Sequence, residues 1–299
     1  MASALHIIAL GGPDDLCVAG QQYVDHLERR WSRFIGSSDV SRLNLSEGRP
    51  TVVAPETMTL VATMVDGWRL TDGAYDPSIL HTLIANGYAA SKLDPEQRTV
   101  LPPSTGPSGS LAEIVLDGFG EMITMPPGLA LDPGGIGKGL AADLTVAWML
   151  QQGAGGALVS IGGDLSMAGE PPHREGWVVA VEQADEADGV LCSLAVSGGG
   201  VATSSTVTRR WVSDGIRRHH LIDPATDMQS ATDLAAVTVI ALTGWSAEVH
   251  ATAALLRGST GVLAYLERHS LSGIAQTTRG AVLLTDDLAG LGLLSGAGA

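Results

Sequence analysis

The sequence predicts an α+β fold, with helices and mainly antiparallel strands arranged in two packed subdomains. Segments with apolar residues at helical spacing and short strand-like segments follow one another without the regular βαβ alternation of a parallel sheet. Hydrophobic residues make up 45% of the 299 residues, which is enough for a sizeable core. Aromatic residues make up only 4%, so aliphatic side chains must build that core.

Local patterns predict the individual elements in chain order. Residues 5–10 alternate weakly, as in a strand, and residues 18–34 carry apolar side chains at helical spacing. Residues 55–70 predict a second helix, since Pro55 is favoured in a first helical turn. The remaining predicted elements are helices at 139–151, 245–257 and 260–268 and strands at 111–116, 121–125, 157–161, 177–182, 191–196, 210–213, 236–241 and 281–284. The Pro-, Gly- and Ser-rich stretch 101–109 predicts an exposed loop.

The formal net charge of −15 argues against a nucleic-acid partner, because no cluster of basic residues is larger than Arg217-Arg218. An acidic protein that binds an anionic ligand must neutralise it locally, with a metal ion, helix N-termini or a well-placed lysine. The two cysteines, Cys17 and Cys192, are expected to be free buried thiols rather than a disulfide. The first ten residues lack a basic signal-peptide start, and no apolar run is long enough for a membrane span, so a cytoplasmic protein is expected.

A glycine-rich segment, Leu131-Asp-Pro-Gly-Gly-Ile-Gly-Lys-Gly-Leu-Ala-Ala-Asp143, carries the strongest chemical signal. Glycines that open a helix let backbone N–H groups close on an anion, and Lys138 adds a positive charge. The segment departs from the phosphate-loop pattern, because Asp132 stands in place of the first glycine and Gly139 follows the lysine. Gly137 to Ala142 match the dinucleotide pattern G-x-G-x-x-A, but a tight turn capping a packed helix would look the same. As an exposed loop residue, Lys138 is expected to contribute little to stability.

Three further motifs place polar groups where a ligand could meet them. The strand-ending Ile161-Gly-Gly-Asp164 brings backbone and one carboxylate close together, although an ordinary hairpin turn explains it equally well. His220 precedes Leu-Ile-Asp-Pro and suits a general base, with a structural histidine as the alternative. Glu248 and Thr252 stand one helical turn apart, so their oxygens share a face that suits a hard cation such as Mg²⁺. In isolation, a solvated glutamate and a threonine bonded back to its own helix would be the more ordinary interpretation.

Taken together, these motifs and their order resemble the FAD:protein FMN transferase family, also called ApbE-like or thiamine biosynthesis lipoprotein-like. The resemblance covers about residues 31–257, within a single unit spanning residues 1–299. Seven motifs in the family's order are far more specific than any one of them. They are Ser38-x-x-Ser41-Arg-x-Asn44, Thr71-Asp-Gly-Ala-Tyr-Asp-Pro77, Asp132-Pro-Gly-Gly-Ile-Gly-Lys-Gly139 with Asp143, Ile161-Gly-Gly-Asp164, Val201-Ala-Thr-Ser204, His220-Leu-Ile-Asp-Pro224 and Ala247-Glu-x-x-Ala-Thr252.

The resemblance implies a Mg²⁺-dependent enzyme whose substrate is FAD and whose partner is an acceptor protein. FMN would pass to a Thr or Ser hydroxyl of the acceptor, with release of AMP. Two alternatives use the same site: an FAD pyrophosphatase that releases FMN and AMP, and a non-catalytic flavin-binding module. A Rossmann-type dehydrogenase is a more distant alternative.

The resemblance also assigns roles to individual residues. His220 corresponds to the family's proposed catalytic histidine. The metal would be held by the backbone carbonyl of Gly135 together with Glu248 and Thr252. The implied FAD contacts are Phe34, Ala74, Tyr75, Asp76, Asp132, Lys138, Leu221 and Ile222.

The chain departs from the family pattern in three respects. The family usually has Asp at the position of Glu248, and the extra methylene moves the carboxylate. The usual Met-Gly-Thr near the N-terminus is missing, so one FAD contact has no counterpart. Many relatives are exported lipoproteins, whereas this sequence shows no export signal.

Overall fold

The computed structural model describes residues 3–91, 94–106, 110–184, 189–213, 215–290 and 294–295. The chain divides into two compact units that interleave in sequence. The first unit contains Val24–Gly137 and Trp211–Ser230, and the second contains Ser3–Tyr23, Lys138–Arg210 and the residues from Ala231 onward. The first unit therefore holds most of the predicted FAD contacts, whereas Lys138, Glu248 and Thr252 belong to the second.

The helices form where apolar residues recur at helical spacing. In the first helix the buried positions Leu16, Gly20, Val24, Leu27 and Trp31 follow one another at steps of three and four. The helices are α1 (Leu16–Trp31), α2 (Asp39–Asn44), α3 (Pro55–Leu70), α4 (Leu80–Ala85), α5 (Gly137–Gln151), α6 (Gly244–Leu255), α7 (Gly258–Arg268) and α8 (Asp286–Gly290). Short 3₁₀ segments occur at Leu111–Glu113 and Pro133–Gly135.

The strands are short. They are β1 (Leu5–Leu10), β2 (Thr51–Val52), β3 (Val115–Asp117), β4 (Met122–Thr124), β5 (Gly156–Ile161), β6 (Asp164–Gly169), β7 (Trp177–Glu182), β8 (Val190–Val196), β9 (Gly199–Ser205), β10 (Arg210–Ser213), β11 (Ile216–His219), β12 (Ile222–Asp223), β13 (Met228–Gln229), β14 (Leu234–Ala241), β15 (Ser272–Thr277), β16 (Val282–Leu284) and β17 (Leu294–Ser295).

The second unit is built on a seven-stranded sheet of order β1-β5-β6-β9-β14-β15-β16, in which every neighbouring pair is antiparallel. Helix α6 packs against β9 and β14, and α7 packs against β15. Helix α6 is rich in alanine and buried on almost all sides, which allows close backbone approach. The sheet of order β17-β8-β7 covers a core that includes Trp177 and Met167.

The first unit contains the antiparallel sheet β2-β4-β3, the hairpin β12-β13 and the two-stranded sheet β10-β11. Its core includes Leu60 and Met64 of α3 and Ile123 of β4, all fully buried. Asn44, at the end of α2, donates to the Leu131 carbonyl at 2.9 Å and accepts from the Leu131 N–H at 2.7 Å. This reciprocal pair ties α2 to the start of the glycine-rich segment.

The described residues confirm the predicted α+β class with mainly antiparallel strands. The predicted strand 111–116 is wrong in its first half, since residues 111–113 form a 3₁₀ turn and β3 begins only at Val115. Residues 101–106 form no helix or strand, as the predicted loop requires, and residues 107–109 lie outside the described part of the chain. Both cysteines are free, as expected, but Cys17 lies on the exposed face of α1, and only Cys192 is buried. No described helix has the length and hydropathy of a membrane span.

Candidate active site

The glycine-rich segment begins with a capped turn. Asp132 Oδ1 accepts from the Gly134 N–H at 3.2 Å and caps the 3₁₀ turn Pro133–Gly135, after which α5 begins at Gly137. The Asp132 N–H donates to the Pro77 carbonyl at 2.7 Å. This backbone bond brings the segment that carries Tyr75 and Asp76 to the start of the glycine-rich segment.

Tyr75 is buried beside the same turn. A Cβ at Gly135 would lie 3.1 Å from Tyr75 Cε2, so the absence of a side chain at Gly135 lets the ring approach its backbone. The Tyr75 N–H donates to Thr71 Oγ1 at 3.0 Å. Asp76 Oδ1 accepts from the Ser78 N–H at 2.7 Å and from its hydroxyl at 2.6 Å, and Ala74 is half-buried. Of the predicted FAD contacts, Tyr75, Asp76 and Asp132 are therefore neighbours in the fold.

The other predicted contacts of the first unit come from two further segments. Phe34 is half-buried and follows α1, and its ring lies beside the guanidinium of Arg33. His220 is half-buried directly after β11. Leu221 and Ile222 are buried, and their side chains belong to the core of this unit.

Lys138 in the second unit is clamped between two acidic side chains. Its ammonium donates to Asp164 Oδ2 and to Glu248 Oε1. The second oxygen of Glu248 accepts from the Gly139 N–H at 2.8 Å, and that of Asp164 accepts from the Thr203 N–H at 3.2 Å. Asp164 and Glu248 are only 3% and 4% exposed, so this is a buried ionic cluster. The expectation that Lys138 is an exposed loop residue is wrong, because it lies in α5 and its side chain is only 15% exposed. This pairing predicts a larger effect on stability than an exposed lysine would have.

Burial dominates the electrostatics of the Lys138 cluster. Burial raises the pKa of Glu248 to about 7. The Lys138 ammonium opposes this rise, and the negative charge of Asp164 adds to it. Burial by itself lowers the pKa of Lys138, but the attraction of the Asp164 and Glu248 carboxylates outweighs that effect, so the pKa of Lys138 is raised. When both carboxylates are ionised, the cluster carries one positive and two negative charges.

Thr252 stands one helical turn after Glu248 on α6, as the sequence predicts. Its hydroxyl lies 2.9 Å from the hydroxyl of Ser204 on β9. Gly135, the third predicted metal ligand, belongs to the first unit, whereas Glu248 and Thr252 belong to the second. Among the described residues no group of three or more His, Cys, Asp or Glu side chains is arranged to hold a metal ion.

Asp143 holds the start of α6, the helix that carries Glu248. Its Oδ1 accepts from the Gly244 N–H at 2.8 Å and its Oδ2 from the Trp245 N–H at 2.9 Å. Burial raises the pKa of Asp143, and hydrogen bonds from Ser166 and these two N–H groups oppose the rise. A carboxylate at a helix N-terminus also interacts favourably with the helix dipole. The sequence motif contained Asp143, but its partners lie about one hundred residues away, and no local pattern identifies them.

Gly139 allows α5 and α6 to meet backbone to backbone. A Cβ at Gly139 would lie 2.4 Å from the carbonyl carbon of Gly244 and 2.7 Å from the Trp245 nitrogen, and these main-chain atoms would have to move. Gly139→Ala should therefore lower the free energy of unfolding by about 2–3 kcal/mol in urea denaturation. Gly137→Ala is the matched control, since its nearest neighbour would be Pro133 Cβ at 3.4 Å. Equal unfolding midpoints for the two variants would contradict this packing role.

The chain is similar to known flavin transferases in sequence and in fold. Residues 3–275 match the model of the ApbE family. The FAD:protein FMN transferase of Salmonella typhimurium is 33% identical over 147 residues, which cover 49% of this chain and 42% of that protein. A Klebsiella pneumoniae protein of the same name is 29% identical over 176 residues, covering 58% and 54%. These two matches span about half the length of the relatives. The Escherichia coli K12 protein of that name is 27% identical over 271 residues, covering 87% and 76%.

Solved structures agree with this comparison. The apo form of the flavinyl transferase ApbE from Pseudomonas stutzeri superposes with a TM-score of 0.79 at 26% identity, covering all of this chain and 95% of that one. An ApbE protein from Thermotoga maritima gives a TM-score of 0.82 at 24% identity, covering 96% of this chain and 95% of that one, and this similarity shows the shared fold.

Proposed function

The chain belongs to the ApbE family, and from that premise we propose that it is a Mg²⁺-dependent FAD:protein FMN transferase. It cleaves FAD, attaches FMN to a Thr or Ser hydroxyl of an acceptor protein and releases AMP. The observation that carries this proposal is the family match over residues 3–275, together with the activity for which similar proteins are named, FAD:protein FMN transferase. A structural observation also supports the proposal, because Tyr75, Asp76 and Asp132 lie around one turn.

In the proposed reaction, the hydroxyl oxygen of the acceptor forms a bond to the phosphorus of the FMN half. The bond from that phosphorus to the bridging oxygen breaks, and AMP leaves with that oxygen. His220 takes the proton of the acceptor hydroxyl as general base, which makes the oxygen a better nucleophile. Phe34, Tyr75, Asp76 and Asp132 hold FAD, with Ala74, Leu221 and Ile222 completing the proposed contacts of the first unit. Catalysis of this kind depends mostly on positioning and charge neutralisation.

We propose that the magnesium ion binds among the oxygen donors of the second unit. Glu248 and Asp164 supply buried carboxylate oxygens, and Thr252 supplies a hydroxyl from the same helix as Glu248. Mg²⁺ prefers such hard oxygen ligands and usually keeps several waters, so few protein ligands suffice. When bound, the metal would neutralise the charge of the diphosphate. The carbonyl of Gly135 as a further metal ligand and Lys138 as a diphosphate contact stay predictions from the sequence.

Glu248→Gln should lower FAD cleavage at least about tenfold, because the amide keeps the shape of the side chain but loses the charge that attracts a metal. Chelator should abolish wild-type cleavage, and added Mg²⁺ should restore it. Glu248→Asp, which restores the usual family residue, should retain measurable activity. Glu267→Gln on the exposed face of α7 is the control and should leave the rate unchanged. Full activity of Glu248→Gln in chelator would contradict the metal site.

Product analysis separates the proposed function from its alternatives. The purified chain is incubated with FAD, Mg²⁺ and extracts that contain candidate acceptor proteins, and the mixture is resolved on a denaturing gel. A transferase leaves flavin fluorescence on an acceptor band. A pyrophosphatase releases free FMN and AMP without a fluorescent band, and a binding module returns intact FAD. Either of the last two results would overturn the transferase proposal. Cleavage absent in the wild type but present in Glu248→Asp would favour the binding module.

A further inference from the structure

Arg33 is buried against two predicted FAD contacts, Phe34 and Asp132, although no sequence motif singled it out. Its side chain is 2% exposed, and its guanidinium uses all three nitrogens. Nε donates to Asp132 Oδ1 at 3.2 Å, Nη1 to Thr99 Oγ1 at 2.6 Å and Nη2 to the Tyr88 carbonyl at 3.0 Å. The position of this group is therefore determined from three separate segments of the first unit.

The same guanidinium packs on two aromatic rings. Its Cζ lies 4.1 Å from the centroid of Phe34 and 4.9 Å from that of Tyr88. Tyr88 in turn stacks on Trp211, with ring centroids 5.2 Å apart and planes inclined by 22°. Planar, delocalised arginine is well suited to such stacking, whereas the compact ammonium of lysine is not. We call Arg33, Phe34, Tyr88 and Asp132 the Arg33 clamp.

The ion pair between Arg33 and Asp132 also reduces the repulsion between Asp132 and a negatively charged ligand. A lone carboxylate at Asp132 would repel the diphosphate of a ligand, whereas a carboxylate paired with a buried guanidinium is neutralised. Asp132 Oδ1 is shared between Arg33 Nε and the Gly134 N–H, so the pair also fixes the start of the glycine-rich segment. One guanidinium thus controls both the orientation of the Phe34 ring and the charge beside the turn.

We propose that Arg33 is a positioning residue for FAD, which holds the Phe34 ring and the Asp132 carboxylate in the arrangement that the substrate requires. This inference rests on the proposed function, in which Phe34 and Asp132 contact FAD. Arg33 is buried beneath its partners and acts through them.

Arg33→Lys is the most informative variant, because it keeps the positive charge and loses the planar stack and the three-way hydrogen bonding. The Kd for FAD, followed by quenching of flavin or tryptophan fluorescence, should rise about tenfold or more, the scale of a lost charge-assisted hydrogen bond. At saturating FAD, kcat should stay within about twofold of the wild type, since the reacting groups are intact. The matched control is Arg42→Lys. The Arg42 guanidinium pairs with Asp39 at 2.9 Å and donates to the Val52 carbonyl at 2.7 Å. The substitution therefore also keeps a positive charge and removes a guanidinium that makes two contacts. Arg42→Lys should leave the Kd unchanged.

A double-mutant cycle tests whether Arg33 acts through Phe34. Phe34→Leu alone should also weaken FAD binding, and the double variant with Arg33→Lys should weaken it by clearly less than the product of the two single effects. Independent, multiplicative effects would overturn the positioning role, as would an unchanged Kd in Arg33→Lys or an equal loss in kcat and affinity. If the wild type cleaves FAD and only these results fail, the inference alone is wrong. If the wild type binds no FAD, the proposed function is wrong, and the inference that rests on it is wrong as well.

Discussion

Lys138→Met should lower the free energy of unfolding by about 3–5 kcal/mol at pH 8 in the presence of chelator. The substitution removes the one ammonium that pairs with Asp164 and Glu248, and both carboxylates are almost fully buried. Breaking a buried ion pair leaves uncompensated charge in a medium that solvates it poorly, and such losses are typically of this size. Urea denaturation followed by tryptophan fluorescence measures the change.

Two further variants identify the cause of this loss. Arg69→Met removes an exposed ion pair with Asp66 and should cost less than about 1 kcal/mol. Adding Glu248→Gln to Lys138→Met should recover a large part of the lost stability, since one of the two unpaired charges disappears while the amide can still accept from the Gly139 N–H. A loss in Lys138→Met no larger than that of Arg69→Met would contradict the buried cluster.

The stability of the metal-free protein should also depend on pH through Glu248. The pKa of Glu248 is about 7 in the folded protein, against an ordinary value of 4.5. A carboxyl group whose pKa is raised by folding favours the folded state while it is protonated, and this contribution is lost as the pH rises from about 4.5 through about 7. The penalty of Lys138→Met should therefore be smaller at pH 5 than at pH 8. An equal penalty at both values would show that Glu248 stays ionised.

His220→Asn should lower the rate of FMN transfer by roughly a hundredfold or more, with little change in the Kd for FAD. General-base catalysis contributes about 10²–10⁴ to rates of this kind, and asparagine can donate and accept hydrogen bonds but cannot take the proton. Single-turnover kinetics with saturating FAD and acceptor separates this effect from binding.

The neighbouring His219 offers a matched control. Its Nδ1 lies 3.3 Å from the Leu221 nitrogen and accepts that N–H, which is a structural role. His219→Asn should therefore change the transfer rate far less than His220→Asn. Similar losses of transfer rate in both variants would show that His220 is not the general base. Weaker FAD binding as the main effect of His220→Asn would show the same.

Much of the fold could be predicted from local sequence patterns. Helix α3 and strand β1 match their predicted ranges, whereas α1 is Leu16–Trp31 instead of the predicted 18–34. Apolar periodicity and the start signal of Pro55 act within a few residues, so these elements could be recognised locally. Short elements such as α2, α4, β12 and β13 were not predicted. Their lengths of two to six residues leave too little periodicity to detect, and tertiary contacts such as the Asn44–Leu131 pair hold them in place.

The candidate site could be predicted only in part, and for a similar reason. Tyr75, Asp132 and Glu248 belong to recognisable motifs, whereas Arg33 contacts a residue that lies 99 positions away in the sequence. The pairing of Lys138 with Glu248 spans 110 positions, and it makes an expected exposed lysine a partly buried, ion-paired one. Motifs indicate which residues matter, but the partner that sets a side chain's charge and orientation is decided by the tertiary fold.

The ratio of AMP released to flavin bound covalently on the acceptor tests the central claim most directly. The chain is incubated with FAD, Mg²⁺ and one purified acceptor protein that becomes fluorescent in the gel assay. AMP is quantified by chromatography, and bound flavin is quantified by absorbance after denaturation. Transfer predicts one bound flavin for each AMP, with both signals lost in chelator and in an acceptor whose modified Thr or Ser is replaced by alanine. AMP matched by free FMN, with no flavin on the acceptor, would contradict the account.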